Sequence, residues 1–317
     1  MGKRLYIGID LGGTNIAAGL VSESGEVLGK VSIPTNADLG SDSIIEAISS
    51  SCDLLKEETG FDKAELKAIG IGVPGMMAPD TGVVIFCPNL PIENVDLTTA
   101  LSKKWGVPVY VNNDANCAAL GEAHAGGAKD TSNAVCVTLG TGVGGGIIIN
   151  NQIYSGFNGA AGEVGHIVIM LDGRQCGCGR KGCWEAYASA TGLAKTTREY
   201  MQKYHETAMW ELVENDLSKV SGRTAFDAMR KGDEGGRAVV DLYVKHLAAG
   251  IIDLINIFQP EVLCIGGGIS NEGDYLLKPL QKLVDEARYT RGVPQTEIKR
   301  ALLGNDAGIV GAAMLGA

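Results

Sequence analysis

Apolar residues fall in short alternating or continuous runs separated by glycine-rich tips, and the pattern predicts strands that fold back on themselves. Residues 4–21 (RLYIGIDLGGTNIAAGLV) read as two strands joined at DLGGTN, and residues 27–33 continue the meander. Helical periodicity after a serine-rich start marks residues 43–58. Residues 66–73 are a buried strand ending in Pro74-Gly75, followed by a loop-rich region to residue 94 that holds CPNLP at 87–91. A short helix is expected at 97–105. The strand at 107–111 ends on Asn112-Asn113-Asp114, directly before a helix through residue 125.

The second half repeats the theme. Residues 134–150 (AVCVTLGTGVGGGIIIN) are again strand, glycine tip and strand. The segment 140–145 has the outline of a dinucleotide fingerprint, but strand-like GGIIIN follows where that fingerprint must open a helix, so a Rossmann site is rejected. Helices are expected at 185–204, 224–231, 235–258, 275–287 and 307–315, and strands at 262–265 and 295–300, the first of these running into GGGIS at 266–270. The tips at 10–14 and 140–144 open two halves, which predicts a duplicated α/β unit with a cleft between its domains. Crossovers near Asn113 and Arg300 set the expected division: 1–113 plus 301–317 as a small domain, and 114–300 as a large one.

Composition narrows the class. A chain of 317 residues can bury a large core, and a net charge of -10 argues against a nucleic-acid partner, which needs clustered Lys and Arg. No apolar run approaches the roughly 18 residues of a membrane-spanning helix. The N-terminal MGKRLYIGIDLGG enters a strand pattern without a secretory signal, so a cytoplasmic protein is expected. Eight cysteines are too sparse for a disulfide scaffold; Cys52, Cys87, Cys117, Cys136 and Cys264 sit among apolar neighbours and read as core. The 45 glycines gather in short runs, as tight turns and close backbone approach to ligands require.

The remaining three cysteines carry chemistry. His166, Cys176, Cys178 and Cys183 place an imidazole and three thiols within one loop, a donor set suited to tetrahedral zinc. Glu163 and Glu185 bracket the set and are not needed to complete it. They are therefore free, with His166, to face a ligand pocket that the metal would brace. At the Asp10–Thr14 tip, glycine allows phosphate to approach backbone N–H groups, Thr14 can donate a hydroxyl and Asp10 can hold magnesium through water; the same residues also suit an ordinary tight turn. Asp114 sits where open α/β sheets bind ligands and is the best candidate general base, although Asn and Asp also serve there as helix caps.

Taken together, DLGGTN (10–15), GVPG (72–75), PNLP (88–91), NND (112–114), LGTGVGGG (139–146), GAAGEVGH (159–166), CGCGRKGCWEAYAS (176–189) and GGGIS (266–270) resemble the ROK sugar kinases, most closely their bacterial glucokinases, over nearly the whole chain. The resemblance implies a duplicated actin/hexokinase-like (ribonuclease H-like) two-domain fold and ATP-dependent phosphorylation of a hexose 6-hydroxyl. It implies Asp114 as general base, with Asn113, Asp114, Glu163, His166 and Glu185 on the sugar and Gly75 and Asn89 lining its pocket. It implies phosphates and Mg2+ at Asp10, Gly12, Gly13 and Thr14, the γ-phosphate facing Thr141 and Gly142, and adenosine beside Gly267. Asn15 departs from the pattern, where many relatives carry lysine.

His166 would then have two duties, one ring nitrogen on structural zinc and the other on a sugar hydroxyl. Glucose is the expected substrate; kinases of fructose, N-acetylmannosamine or allose are the near alternatives. Some relatives are sugar-responsive repressors with an added helix-turn-helix domain, for which a first strand at about residue 4 leaves no room. A homo-oligomer, dimer or tetramer, is expected from the resemblance alone, and polyphosphate in place of ATP stays open.

Overall fold

The computed structural model of the protein describes residues 4–78 and 81–317. Residues 1–3, before the first expected strand, and residues 79–80, in the expected loop-rich region, lie outside the described residues. In chain order the first elements are β1 (Leu5–Leu11), β2 (Asn15–Ser22), β3 (Val27–Pro34), α1 (Ser41–Thr59), β4 (Leu66–Val73), β5 (Met76–Met77), β6 (Val83–Phe86), β7 (Glu93–Asp96), α2 (Thr99–Trp105), β8 (Val109–Asn113) and α3 (Asp114–Ala125). There follow β9 (Ala134–Leu139), β10 (Val143–Ile149), β11 (Gln152–Ile153), α4 (Glu185–Ala188), α5 (Ala190–Lys203), α6 (Met209–Leu212), α7 (Thr224–Arg230), α8 (Glu234–Phe258), β12 (Val262–Gly266), α9 (Asp274–Ala287), β13 (Glu297–Arg300) and α10 (Ala307–Met314). None of the described helices is long and apolar enough to cross a membrane.

The strands form two five-stranded sheets, ordered β3-β2-β1-β4-β8 and β11-β10-β9-β12-β13. Counted from the start of each half, the two orders are the same, which is the duplication expected from the repeated hairpins. In the first sheet β1 runs antiparallel to β2 but parallel to β4, and β4 is parallel to β8. Met76–Met77, Val83–Phe86 and Glu93–Asp96 pair as a small separate sheet inside the region read as loop. The expected continuous helix at 185–204 is broken at Ser189, whose extended backbone lets its hydroxyl accept from the Gly192 N–H and cap α5.

Contacts within the chain define two compact units: Met1–Cys136 with Gly146–Gly162 and Ala301–Ala317, and Val137–Gly145 with Glu163–Arg300. Residues 114–136 and 146–162, expected in the large domain, belong to the first unit, and α3 is held there by packing against α10. There Gly121 and Gly311 let the two helix backbones meet: a Cβ on Gly311 would stand 1.6 Å from the Cys117 carbonyl oxygen. Glu122, buried in α3, fixes the returning chain by accepting from the N–H groups of Leu302 at 2.9 Å and Leu303 at 2.8 Å.

The two-residue period of β1 sorts its side chains between two cores. Leu5, Ile7, Ile9 and Leu11 join Ile44, Ile48, Cys52 and Leu55 of α1 on one face. Tyr6 faces Ile309, Val310 and Ala313 of α10 on the other. Gly8 and Asp10 follow Tyr6 in that period, so the strand delivers Asp10 to the α10 face.

Candidate functional site

In the first unit the parallel strands β1, β4 and β8 all point their carboxyl ends the same way, and the expected site residues cluster at those ends, where open α/β sheets bind ligands. Asp10 is the penultimate residue of β1. A Cβ on Gly308 would stand 2.8 Å from Asp10 Oδ2, so the carboxylate lies against the first turn of α10. Burial first, and the negative charge of Asp114 second, push the Asp10 carboxyl up to about 6. Each carboxylate is therefore within electrostatic reach of the other.

Asp114 is brought there by a missing side chain. Asn112 on β8 pairs with Gly72 on β4, and a Cβ on Gly72 would stand 3.6 Å from the Asp114 Cα and 3.4 Å from the Cys117 Sγ. The cap is Asn113, whose Oδ1 accepts from the Ala115 and Asn116 N–H groups at 2.9 and 3.2 Å. Asp114 is thus not required as the N-cap of α3, although its Oδ1 also lies 2.9 Å from the Ala115 nitrogen. Asn113 Nδ2 donates to the Gly75 carbonyl at 3.3 Å, which joins two of the expected sugar-pocket residues. Gly75 packs on the backbone of Phe86–Cys87, two residues before the exposed Asn89.

Cys87 and Cys117, read from sequence as plain core residues, are neighbours of this charge cluster. Burial pushes the Cys87 thiol up to about 11, with Asp114 adding to it. Burial, Asp10 and Asp114 together raise Cys117 further. Spacing could not reveal this for Cys87, which is 27 positions from Asp114 and arrives through the small sheet, whereas Cys117 lies three positions beyond Asp114 on α3.

In the second unit the β9–β10 tip is closed by the Gly140 N–H donating to the Gly142 carbonyl at 3.0 Å. From behind, the Gly140 carbonyl accepts from the Ala190 N–H at 2.8 Å, and the Thr141 carbonyl accepts from the Thr191 hydroxyl at 2.9 Å. Glu185, half-buried at the start of α4, accepts from the Val143 N–H at 3.0 Å through Oε2. A Cβ at 142 would stand 2.4 Å from that oxygen, so a side chain there would displace the Glu185 carboxylate. Gly267 leaves β12 with φ of 80° against the Leu139 backbone, a left-handed position with no space for a side chain. Thr141, Gly142, Glu185 and Gly267 are thereby tied to one hairpin.

The cysteine loop packs on the same hairpin: a Cβ on Gly165 would stand 2.2 Å from the Val143 carbonyl oxygen. Ligand atoms of His166, Cys176, Cys178 and Cys183 all lie within 4.8 Å of one another. Cys176 Sγ is 3.7 Å from His166 Nδ1, and Cys178 Sγ is 3.6 Å from Cys183 Sγ. Tetrahedral zinc with Zn–S of about 2.3 Å and Zn–N of about 2.0 Å requires edges of roughly 3.5–3.8 Å, so the donor chemistry and these two edges fit zinc. Tight reversals shape it, with Gly179 and Gly182 at φ of 88° and 77° and the Cys176 N–H donating to the Arg180 carbonyl at 2.8 Å. His166 turns Nδ1 to the thiols, which directs Nε2 the other way. Glu163 precedes the turn Val164–His166 and is exposed.

A family model described as ROK family matches residues 6–317. The chain is 39% identical over 316 residues to a glucokinase of Thermotoga maritima, covering 99% of this chain and 98% of the relative. It is 33% identical to a putative xylose repressor of a Caldicellulosiruptor species, over 88% of this chain and 70% of the relative. Among solved structures, a ROK family glucokinase from Streptomyces griseus in complex with glucose and AMPPNP superposes with a TM-score of 0.78 at 36% identity, covering 98% of this chain and 99% of that one.

Proposed function

The chain belongs to the ROK family, with the duplicated actin/hexokinase-like α/β fold, and we propose that it is an ATP-dependent glucose kinase acting on the 6-hydroxyl. The observation that carries the reading is the placing of Asp10 and Asp114 at the carboxyl ends of β1 and β8, with Gly72 of β4 between them, paired with Asp10 on one side and with Asn112 on the other. One carboxylate suits a cation and phosphates; the other suits the proton of an attacking hydroxyl.

In the proposed reaction the glucose O6 forms a bond to the γ-phosphorus, the bond from that phosphorus to the β,γ-bridging oxygen breaks, and the O6 proton passes to an Asp114 carboxylate oxygen. Asn113, Glu163, His166 Nε2 and Glu185 hold the sugar hydroxyls, with Gly75 and Asn89 lining the pocket. Such a site rejects a sugar that leaves its buried polar groups unpaired. Gly12, Gly13 and Thr14 offer backbone N–H groups and a hydroxyl to phosphate, Thr141 and Gly142 face the γ-phosphoryl, and Gly267 borders the adenosine. Asp10 would hold Mg2+, which when bound neutralises phosphate charge.

Zinc on His166, Cys176, Cys178 and Cys183 would be structural, since four protein ligands leave no open position for a substrate. We further propose that the protein is cytoplasmic and a homo-oligomer; light scattering of the purified protein tests the oligomeric state. The activity is tested by a coupled assay with ATP and Mg2+ over glucose, fructose, N-acetylmannosamine and allose. Phosphorylation of glucose with the highest kcat/KM supports the reading; no turnover of any hexose defeats it, and preference for another sugar corrects the substrate.

A further inference from the structure

Thr35 directly follows β3 and is wholly buried, with 0% exposure. It reaches the β1–β2 tip twice. Its hydroxyl donates to the Gly12 carbonyl at 2.7 Å, and its N–H donates to the Thr14 carbonyl at 2.9 Å. Pro34, paired with Asn15 across β2 and β3, fixes the approach of the chain to this position. The tip faces outward on its other side: Gly13 and Thr14 are exposed, and a Cβ on Gly13 would meet nothing within 4 Å.

We propose that Thr35 is a positioning residue for the nucleotide phosphates, acting by holding the Gly12 carbonyl inward so that the Gly13 N–H is presented outward. The step follows from peptide geometry. In a planar trans peptide the carbonyl of one residue and the N–H of the next point in opposite directions, so pinning one aims the other. Two successive glycines would otherwise leave the 12–13 peptide free to rotate, since neither has a Cβ to restrict it. A rotated peptide would turn a carbonyl oxygen toward an anion, which it repels, and would leave the buried Thr35 hydroxyl without its acceptor. Thr35 therefore couples a buried hydroxyl to the orientation of an exposed N–H. The Thr14 carbonyl, held by the Thr35 N–H, makes a second point of attachment that a side-chain change leaves in place.

The inference rests on the nucleotide role proposed for Gly12, Gly13 and Thr14, and its test separates the two. Mg-ATP binding is measured by calorimetry, beside steady-state kinetics, for the full-length protein and for Thr35→Val and Thr35→Ser. Valine keeps the branched shape and removes the donor; serine keeps the donor and removes the methyl. Thr35→Val is expected to weaken Mg-ATP binding about tenfold and to raise the KM for ATP by a like factor, with the KM for glucose within twofold of the parent. Thr35→Ser is expected to bind Mg-ATP within threefold of the parent. Equal Mg-ATP affinity in the parent and Thr35→Val overturns the inference. So does a folded Thr35→Ser that loses affinity as far as Thr35→Val, which would mark the residue as packing alone. If Thr35→Val does not fold, Thr35→Ala, which also removes the donor, takes its place with the same expected loss and the same overturning result. A parent that binds Mg-ATP but phosphorylates no sugar defeats the kinase reading while leaving this inference to the binding data; a parent that binds no Mg-ATP defeats both.

Discussion

Glu185 Oε1 lies 3.6 Å from Cys176 Sγ, while the other oxygen of the same carboxylate accepts from the Val143 N–H at 3.0 Å. A proposed sugar ligand is thus held between a proposed zinc ligand and the tip of a hairpin. Removing the metal should loosen one of its two supports. Cys178→Ala is the cleanest probe, because Cys178 is exposed, whereas Cys176 is the thiol beside Glu185. The variant is expected to lose zinc and to raise the KM for glucose about 10–100-fold, the usual cost of disturbing a metal-site support. Zinc content by atomic absorption and glucose binding by calorimetry check it; a zinc-free variant with parental glucose affinity would show that the brace and the pocket are independent.

Asp114→Ala separates chemistry from binding. The N-terminus of α3 keeps its cap in this variant, because the cap is Asn113, so the fold should persist. Loss of a general base costs about 10²–10⁴-fold in turnover. We expect kcat to fall in that range, with the dissociation constant for glucose changed by less than about threefold, which single-turnover and calorimetric measurements resolve. Turnover near the parental rate would exclude Asp114 as the base.

The Asp10 carboxyl, raised to about 6, sets the direction of a pH effect. An acid raised in the folded state holds a proton that the unfolded chain has released, so its contribution to stability is fully present below the unfolded value of 3.8 and is lost as pH rises through about 6. Function runs the opposite way, because cation binding needs the deprotonated form. Mg-ATP binding is therefore expected to weaken as pH falls through about 6. In Asp114→Asn the midpoint should move down, by part of the shift only, since burial is the larger cause. A midpoint unchanged in Asp114→Asn would show that the two carboxylates do not interact.

Much of this arrangement was legible in sequence because it obeys local rules. The alternation of LYIGIDL gives β1 and the side on which Asp10 lies, and the spacing of His166, Cys176, Cys178 and Cys183 gives the ligand cluster without any knowledge of the fold. What was not legible depends on what sits opposite. The strands at 76–77, 83–86 and 93–96 are two to four residues long, with Phe86 exposed, too short for a period to show. Ser189 breaks a helix through one side-chain hydrogen bond, against a periodicity that continues past it. Thr35 carries no motif at all; only its burial behind the β1–β2 tip singles it out. The strand glycines Gly8 and Gly70 likewise follow no local rule: each lets the backbone of α10 approach the sheet.

A Cβ on Gly70 would stand 1.7 Å from the Ala312 carbonyl oxygen, and one on Gly8 would stand 1.8 Å from that of Ile309. Both obstacles are helix backbone, which cannot rotate away as a side chain can, so Gly70→Ala must push α10 off the sheet. Overpacking of this kind costs about 1–3 kcal/mol and more where the backbone must move. Since Gly308 at the start of α10 lies against Asp10, displacement of the helix should also disturb the carboxylate. Gly70→Ala is expected to lower stability by at least about 2 kcal/mol in denaturant titrations and to raise the KM for ATP in the fraction that remains folded. Gly13→Ala, whose Cβ meets nothing within 4 Å, is the control and should leave stability within about 0.5 kcal/mol of the parent. Equal stability of Gly70→Ala and the parent would mean that the helix can shift without cost, and that the strand glycines are not what seats α10 on β1 and β4.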